Sequence, residues 1–276
     1  MAVMAQRLYT STQSFPMLAI PFFILAGNIM MSGRFGEYLV NIARLLVGRL
    51  KGGLGHVSVI GSVMFGGVSG SAVADASALG NALIPVQKKE GYPAGFAAAV
   101  NASSSTVSVL IPPSIPLILY GLVSNTSIID LFVAGILPGV MLGLGMFTAV
   151  WWVSKRLGLP TAEMPGGFRA YKSELLHAIP ALLMPVFVIG TLRFGIATPT
   201  EVSVMAVAYA LLVSGGIYRD LTLKDIWKSM IDTGVMTGAV LIIIMASSAI
   251  QWMLTAERTP QTLAIWVTET LQDPWM

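Results

Sequence analysis

Long uncharged apolar runs, punctuated by short basic clusters, organise this chain and predict helices that cross a membrane. Phe15–Met31 is an uncharged run of the right length for one crossing. In Gly36–Leu50, Glu37, Arg44 and Arg49 are set among Leu39, Val40, Ile42, Leu45, Leu46 and Val47, which predicts an amphipathic helix along the membrane surface. Gly53–Gln87 is uncharged apart from Asp75. One helix of that length would reach about 50 Å at 1.5 Å per residue, well beyond a hydrocarbon core of about 30 Å. It must therefore turn, and Ser69-Gly70-Ser71 is the break. Lys51 before it and Lys88 and Lys89 after it put both ends on one side, predicting a re-entrant helical hairpin.

Gly91–Ile129 contains no Asp, Glu, Lys or Arg and is again too long for one crossing. Ile111-Pro112-Pro113-Ser114 stands in its middle. Consecutive prolines remove two amide donors and push the preceding residue out of the helical region, so the expected form is helix, extended break, helix. Leu131–Val153 returns toward Lys155 and Arg156, and Pro160–Tyr171 reads as a loop turning at Pro165-Gly166-Gly167. Leu175–Leu192 is a further span. Thr198-Pro199-Thr200-Glu201 opens the next, with Thr198 as N-cap and Glu201 completing a capping box. That helix runs to Ile217; Ile231–Met253 crosses back, and Glu257–Leu271 reads as amphipathic. Lys51, Lys88, Lys89, Lys155, Arg156, Arg169, Lys172, Arg219, Lys224 and Lys228 then fall on the cytoplasmic face, with Arg7, Arg193 and Arg258 opposite.

Composition agrees with that pattern. Only 11% of the 276 residues are charged, 55% are hydrophobic and the mean hydropathy is +0.78; soluble domains carry about 25% charged residues. The net charge of +3 is scattered, without the clustered basic footprint that nucleic-acid binding needs. Absence of cysteine excludes disulfides, thiolate metal sites and cysteine nucleophiles. Met1–Ser14 lacks the apolar core of a secretory signal peptide. No GxxxxGK[ST], GxSxG, HExxH or GxGxxG motif is present, so an enzyme is not expected, nor is any cofactor. His56 and His177 lack acidic partners at metal-site spacing. Gly135, Gly139 and Gly143, one per turn, read as a helix-packing stripe, and Trp151-Trp152 beside Lys155 as an interfacial belt.

The polar breaks carry the candidate chemistry. An unwound hairpin tip at Ser69-Gly70-Ser71 exposes carbonyls and hydroxyls, which hard cations prefer. Asp75 is the only carboxylate between Lys51 and Glu90, and intramembrane carboxylates are functional candidates. Asn101-Ala102-Ser103-Ser104-Ser105-Thr106 precedes the proline break, and discontinuous helices at the membrane midplane recur as substrate and sodium sites. The competing reading is structural: hydroxyls that satisfy loose backbone groups, and serines bonding back to their own helix.

Five stretches, Leu18–Met30, Gly52–Gly80, Ile111–Gly121, Ala134–Gly139 and Thr198–Leu212, resemble the large membrane subunit of the tripartite ATP-independent periplasmic (TRAP) transporters. The resemblance implies an all-α, multi-pass protein of the bacterial inner membrane that imports organic acids (a C4-dicarboxylate or a related carboxylate) with sodium as coupling ion. It implies a small membrane subunit and a periplasmic solute-binding protein as partners, and an elevator-type motion. Residues 1–52 would be a scaffold span and arm. Residues 53–156 would be half of the transport domain, comprising a hairpin (53–87), a broken helix (93–127) and a span (131–153). Residues 157–256 would be scaffold and 257–276 a second arm. Of two inverted repeats, the first is expected nearly intact and the second cut short where its hairpin should begin. Ser69, Gly70, Ser71, Asn101, Ser103 and Ser104 are the expected cation ligands. Ser71, Asp75, Ser105, Pro112 and Pro113 are the expected substrate contacts. The rival readings are an ion-coupled carboxylate carrier that uses no binding protein and a non-transporting membrane scaffold.

Overall fold

A computed structural model describes residues 13–161 and 168–270. Among them every regular element is helical. A 3-10 turn, Phe15–Leu18, opens α1 (Ala19–Met31). The chain bends by 73° into α2 (Phe35–Val47), whose apolar face, including Phe35, Leu39 and Ala43, is fully buried while Glu37 and Arg49 remain exposed. The amphipathic pattern thus separates core from surface as its spacing requires.

Two helices then form a tight pair: α3 (Gly53–Ser69) and α4 (Ala72–Lys89), broken at Gly70-Ser71. Gly70 closes α3 in the left-handed conformation, φ 57°, which costs a residue with a Cβ about 1–2 kcal/mol. Ser71 is extended and caps α4, its hydroxyl accepting from the Ala74 amide at 3.4 Å. After the Gly91 turn comes α5 (Ala94–Ser104), which tightens into a 3-10 turn at Ser105–Val109. The Ile111–Ser114 break follows, with a cis Pro112–Pro113 bond, and then α6 (Ile115–Ser124), capped by Ser114. The expected helix, break and helix are all present. The added feature is the 3-10 turn, which places the loosening of the helix well before the prolines.

The long α7 (Ile128–Leu157) starts three residues before the expected Leu131, because Ser127 caps it by accepting from the Asp130 amide at 3.3 Å. Then follow α8 (Phe168–Arg193), α9 (Pro199–Leu211, continued by a π turn at Leu212–Ile217), α10 (Leu223–Ala256) and α11 (Thr259–Thr270). Thr198 and Glu201 form the expected capping box, and Thr222 with Asp225 forms a second. Ile128–Leu157, Pro199–Ile217 and Leu223–Ala256 are each long and apolar enough to cross a membrane. Expectations placed on Arg7 and the Pro165–Gly167 turn lie outside the described residues, as do those on the side chains of Arg169, Lys172 and His177; the expected Pro160–Tyr171 loop ends earlier, because α8 begins at Phe168.

The packing divides into two neighbourhoods. In one, α1 lies against α9 and α10; in the other, α3 is surrounded by α2, α4, α5, α7 and the 3-10 turn. Phe35 and Phe65, ring centroids 6.0 Å apart, anchor the core between α2 and α3. Gly135 and Gly139 let α7 close onto the break: a Cβ at Gly135 would stand 2.7 Å from the Leu110 carbonyl oxygen. At the opposite end, Tyr92 ties three segments. Its hydroxyl accepts from the Leu54 amide at 3.3 Å and donates to the Pro160 carbonyl at 3.1 Å. Burial pushes this phenol up to about 12, so it stays a donor at physiological pH. Beside it, the Gly52 amide donates to the same Pro160 carbonyl at 3.0 Å. Lys155 and Arg156 cover the Trp151 and Trp152 rings at 4.5 Å, in keeping with an interfacial belt.

Candidate functional site

The two backbone breaks meet. Gly70 lies so close to Pro113 that an added Cβ would collide with the Pro113 carbonyl oxygen, and the Ile115 amide donates to the Gly70 carbonyl at 3.4 Å. Ser114 shares this junction: its hydroxyl donates to the Val109 carbonyl and accepts from the Leu117 amide at 3.4 Å. Ser69 is buried here, its hydroxyl accepting from the Ser71 amide at 3.4 Å. Both ends of a helical pair and a broken helix thus present loosened backbone to one another, as discontinuous elements must if neighbouring protein rather than lipid is to satisfy them.

Below the tip lies a buried polar cluster contributed by α3, α4, α5 and the 3-10 turn. Asp75 and Ser104 are completely buried, with Asn101 and Ser105 nearly so. The Asn101 amide donates to the Ala76 carbonyl at 2.8 Å and so ties α5 to α4. Ser62 donates to the Ser104 hydroxyl at 3.0 Å, tying α3 to α5. Ser62 and Ser108 flank the Asp75 carboxylate. In this arrangement the Ser62 hydroxyl bonds to Ser104 and the Ser108 hydroxyl to the Ser105 carbonyl at 2.6 Å. Neither Asp75 oxygen has a well-formed hydrogen bond, although either hydroxyl can rotate toward it; the Asn101 side-chain oxygen is likewise unpartnered. A buried carboxylate without donors is costly. A cluster of a carboxylate, an amide oxygen and rotatable hydroxyls can present oxygen lone pairs, the donor set that suits a hard cation.

The expected site residues therefore separate. Ser69, Gly70, Ser71, Pro112 and Pro113 belong to the junction; Asp75, Asn101, Ser104 and Ser105 belong to the region below it. Ser103 joins neither. It is exposed, donates back to the Ala99 carbonyl at 2.7 Å, and lines an apolar groove with Val59, Phe96 and Val150. The structural reading of the serines also holds in part, since Ser104, Ser105, Thr106 and Ser108 all bond back to carbonyls three residues earlier. Ser62, Ser108 and Ser114 were not singled out from sequence. Ser58, Ser62 and Ser69 recur at helical spacing on α3, and that periodicity was the available signal. His56 is fully buried, bonded to the Gly52 carbonyl at 3.1 Å and edge-on to Phe147 at 4.5 Å, as a packed core residue. Among the described residues no three His, Cys, Asp or Glu side chains gather as a metal site.

Comparison with known proteins places this geometry in a family. The family model described as "Tripartite ATP-independent periplasmic transporter, DctM component" matches residues 1–276. The chain is 47% identical over 274 residues to the uncharacterized protein y4mL of Sinorhizobium fredii, covering 99% of this chain and 65% of that one. It is 38% identical over 266 residues to the 2,3-diketo-L-gulonate TRAP transporter large permease protein YiaN of Escherichia coli, covering 95% and 61%. It is 34% identical over 274 residues to the C4-dicarboxylate TRAP transporter large permease protein DctM of Pseudomonas aeruginosa, covering 99% and 64%. It thus spans less than two thirds of the length of each of these relatives.

Proposed function

The chain belongs to the DctM component family of the tripartite ATP-independent periplasmic transporters, and from that premise we propose that it forms part of a sodium-coupled importer of organic acids. Its family is one of permeases rather than enzymes. The observation that carries the reading is the junction of Gly70 with Pro113 above the buried Asp75 carboxylate, which has no charged partner among the described residues.

On this reading, α3 and α4 form a re-entrant hairpin and α5 with α6 the broken helix of one of two inverted repeats. Backbone carbonyls at the meeting of Ser69–Ser71 with Pro112–Pro113 hold a partly dehydrated sodium ion through their remaining lone pairs, together with Asn101, Ser104 and Asp75. Asp75 supplies the compensating negative charge. Its complete burial favours a role with the ion over direct substrate contact. The substrate would lie on the open side of the hairpin, where Ala72, Ala76 and Ser77 face Ala102 and Ser105 across a shallow cavity. Two relatives are named for 2,3-diketo-L-gulonate and for C4-dicarboxylates, so the substrate class proposed is a small carboxylate. A small membrane subunit and a periplasmic binding protein complete the transporter, which sits in the bacterial inner membrane and moves its transport domain as an elevator.

The test is uptake into proteoliposomes by the full-length permease with its small subunit and a loaded binding protein. Uptake should require an inward sodium gradient. Equal uptake with sodium replaced by choline would overturn ion coupling, and equal uptake without the binding protein would favour a stand-alone carrier.

A further inference from the structure

One face of α4 extends past the shallow cavity beside Ser105, which it meets at Ser77. Asp75 and Leu79 point into the buried cluster, whereas Ser77 and Asn81 are exposed on another side. There they line a cavity of about 430 Å³ shared with Asn28 of α1 and Asp232 of α10. This cavity abuts the shallow one beside Ser105, because Val73 and Ser77 line both. The two cavities adjoin, and Ser77, Asn81, Asn28 and Asp232 are the polar residues on an otherwise apolar lining between the broken helix and α10.

Asp232 is unusual in its setting. It lies about 15 Å along α10 from the Thr222 cap, at 1.5 Å per residue, at the start of the apolar stretch Ile231–Met253 of a helix apolar enough to span a membrane. Lys224 and Lys228 precede it on α10, yet among the described residues it has no ion pair or hydrogen bond. Asn28, by contrast, is fixed by donating to Thr233 at 3.0 Å. An unpaired carboxylate on a spanning helix persists where it faces a watery cavity instead of lipid.

We propose that Asp232, with Asn81 and Ser77 across the cavity, forms a transient site for a hydrated monovalent cation passing between the broken helix and the cytoplasmic side. The proposal rests on the ion-coupled reading for its purpose, but its electrostatics can be measured separately. The carboxylate raises the local concentration of cations, while the amide and hydroxyl accept hydrogen bonds from the ion's water shell.

The test uses the complete transporter in inside-out vesicles. This chain has no cysteine; with any cysteine elsewhere in the full-length permease replaced, Ser77→Cys reports alone. It should react from the cytoplasmic face with membrane-impermeant thiosulfonates, the cationic reagent reacting faster than the anionic one. Asp232→Asn should lower that rate ratio about threefold or more, and Asp232→Glu should keep it. Failure of Ser77→Cys to react would overturn the aqueous route. A ratio unchanged by Asp232→Asn would overturn the cation site. In uptake assays, Asp232→Asn should raise severalfold the cytoplasmic sodium needed for half-inhibition, leaving external sodium dependence in place. If uptake ignores sodium while the reagent ratio still responds, ion coupling fails and the cation-selective crevice stands.

Discussion

The carbonyl oxygen of Pro113 occupies the space that a side chain on Gly70 would need. Gly70 is also held at φ 57°, so any other residue there meets both backbone strain and a collision with backbone that has no side-chain freedom to yield. This fixes the position of the hairpin tip relative to the proline break.

Gly70→Ala should therefore reduce uptake by the complete transporter more than tenfold. Gly91, at φ 86° with open space around it, supplies the control. Gly91→Ala should cost about 1–2 kcal/mol of stability from the backbone alone and leave the sodium response intact. Similar uptake for the two variants would show that the contact with Pro113 is unimportant.

The buried oxygen cluster predicts a split among serines adjacent in sequence. Ser104→Ala and Ser62→Ala should raise the sodium concentration for half-maximal uptake severalfold, since Ser62 stands beside Asp75 and Ser104 is bonded to Ser62 at 3.0 Å. Ser103→Ala should leave it unchanged, because its hydroxyl bonds only to Ala99 and faces the apolar groove. Asp75→Asn should abolish sodium-dependent uptake at normal protein abundance. A sodium response altered by Ser103→Ala and untouched by Ser104→Ala would invert the assignment.

Topology gives a third expectation. Lys88 and Lys155 lie in the last turns of α4 and α7 beside Lys89 and Arg156, and the positive-inside tendency leads us to expect both in the cytoplasm. Cysteine at either position should resist impermeant thiol reagents added to intact cells and react after permeabilisation. Labelling from outside would reverse the orientation.

The Tyr92 tie predicts a purely structural effect. Tyr92→Phe removes the bond to the Pro160 carbonyl and the acceptor for the Leu54 amide, which should cost about 1–3 kcal/mol because a buried amide loses its partner. The unfolding temperature in detergent should fall, with sodium affinity unchanged.

Much of this architecture was legible because uncharged stretches too long for one crossing must break, and glycine and proline mark where. Ser69-Gly70-Ser71 and Ile111–Ser114 were read that way, and both breaks stand there. Their direct contact was not legible, since it depends on how α3 and α6 pack. The candidate ligands were only partly legible. Asn101, Ser104, Ser105 and Ser108 recur at helical spacing on one face, while Ser103 and Thr106 fall opposite. Reading the polar patch as a block obscured that division. Asp232 was hidden for another reason: two lysines precede it, so it resembled the polar edge of a span, and only the cavity against α4 sets it apart.

The bond between the Gly52 amide and the Pro160 carbonyl also has a mechanical side. The chain leaves for α3 and returns from α7 at one place, so the intervening segment has one covalent pivot, its other holds on α1 and α2 being side-chain packing. Its far end is the Gly70 tip, about 25 Å away along the 17 residues of α3. Over such an arm a tilt of about 10° carries the tip about 4 Å, comparable to the length of a hydrogen bond plus an ångström. A rotation small enough to spare Tyr92 and Pro160 is thus sufficient to part Gly70 from any partner that does not turn with it.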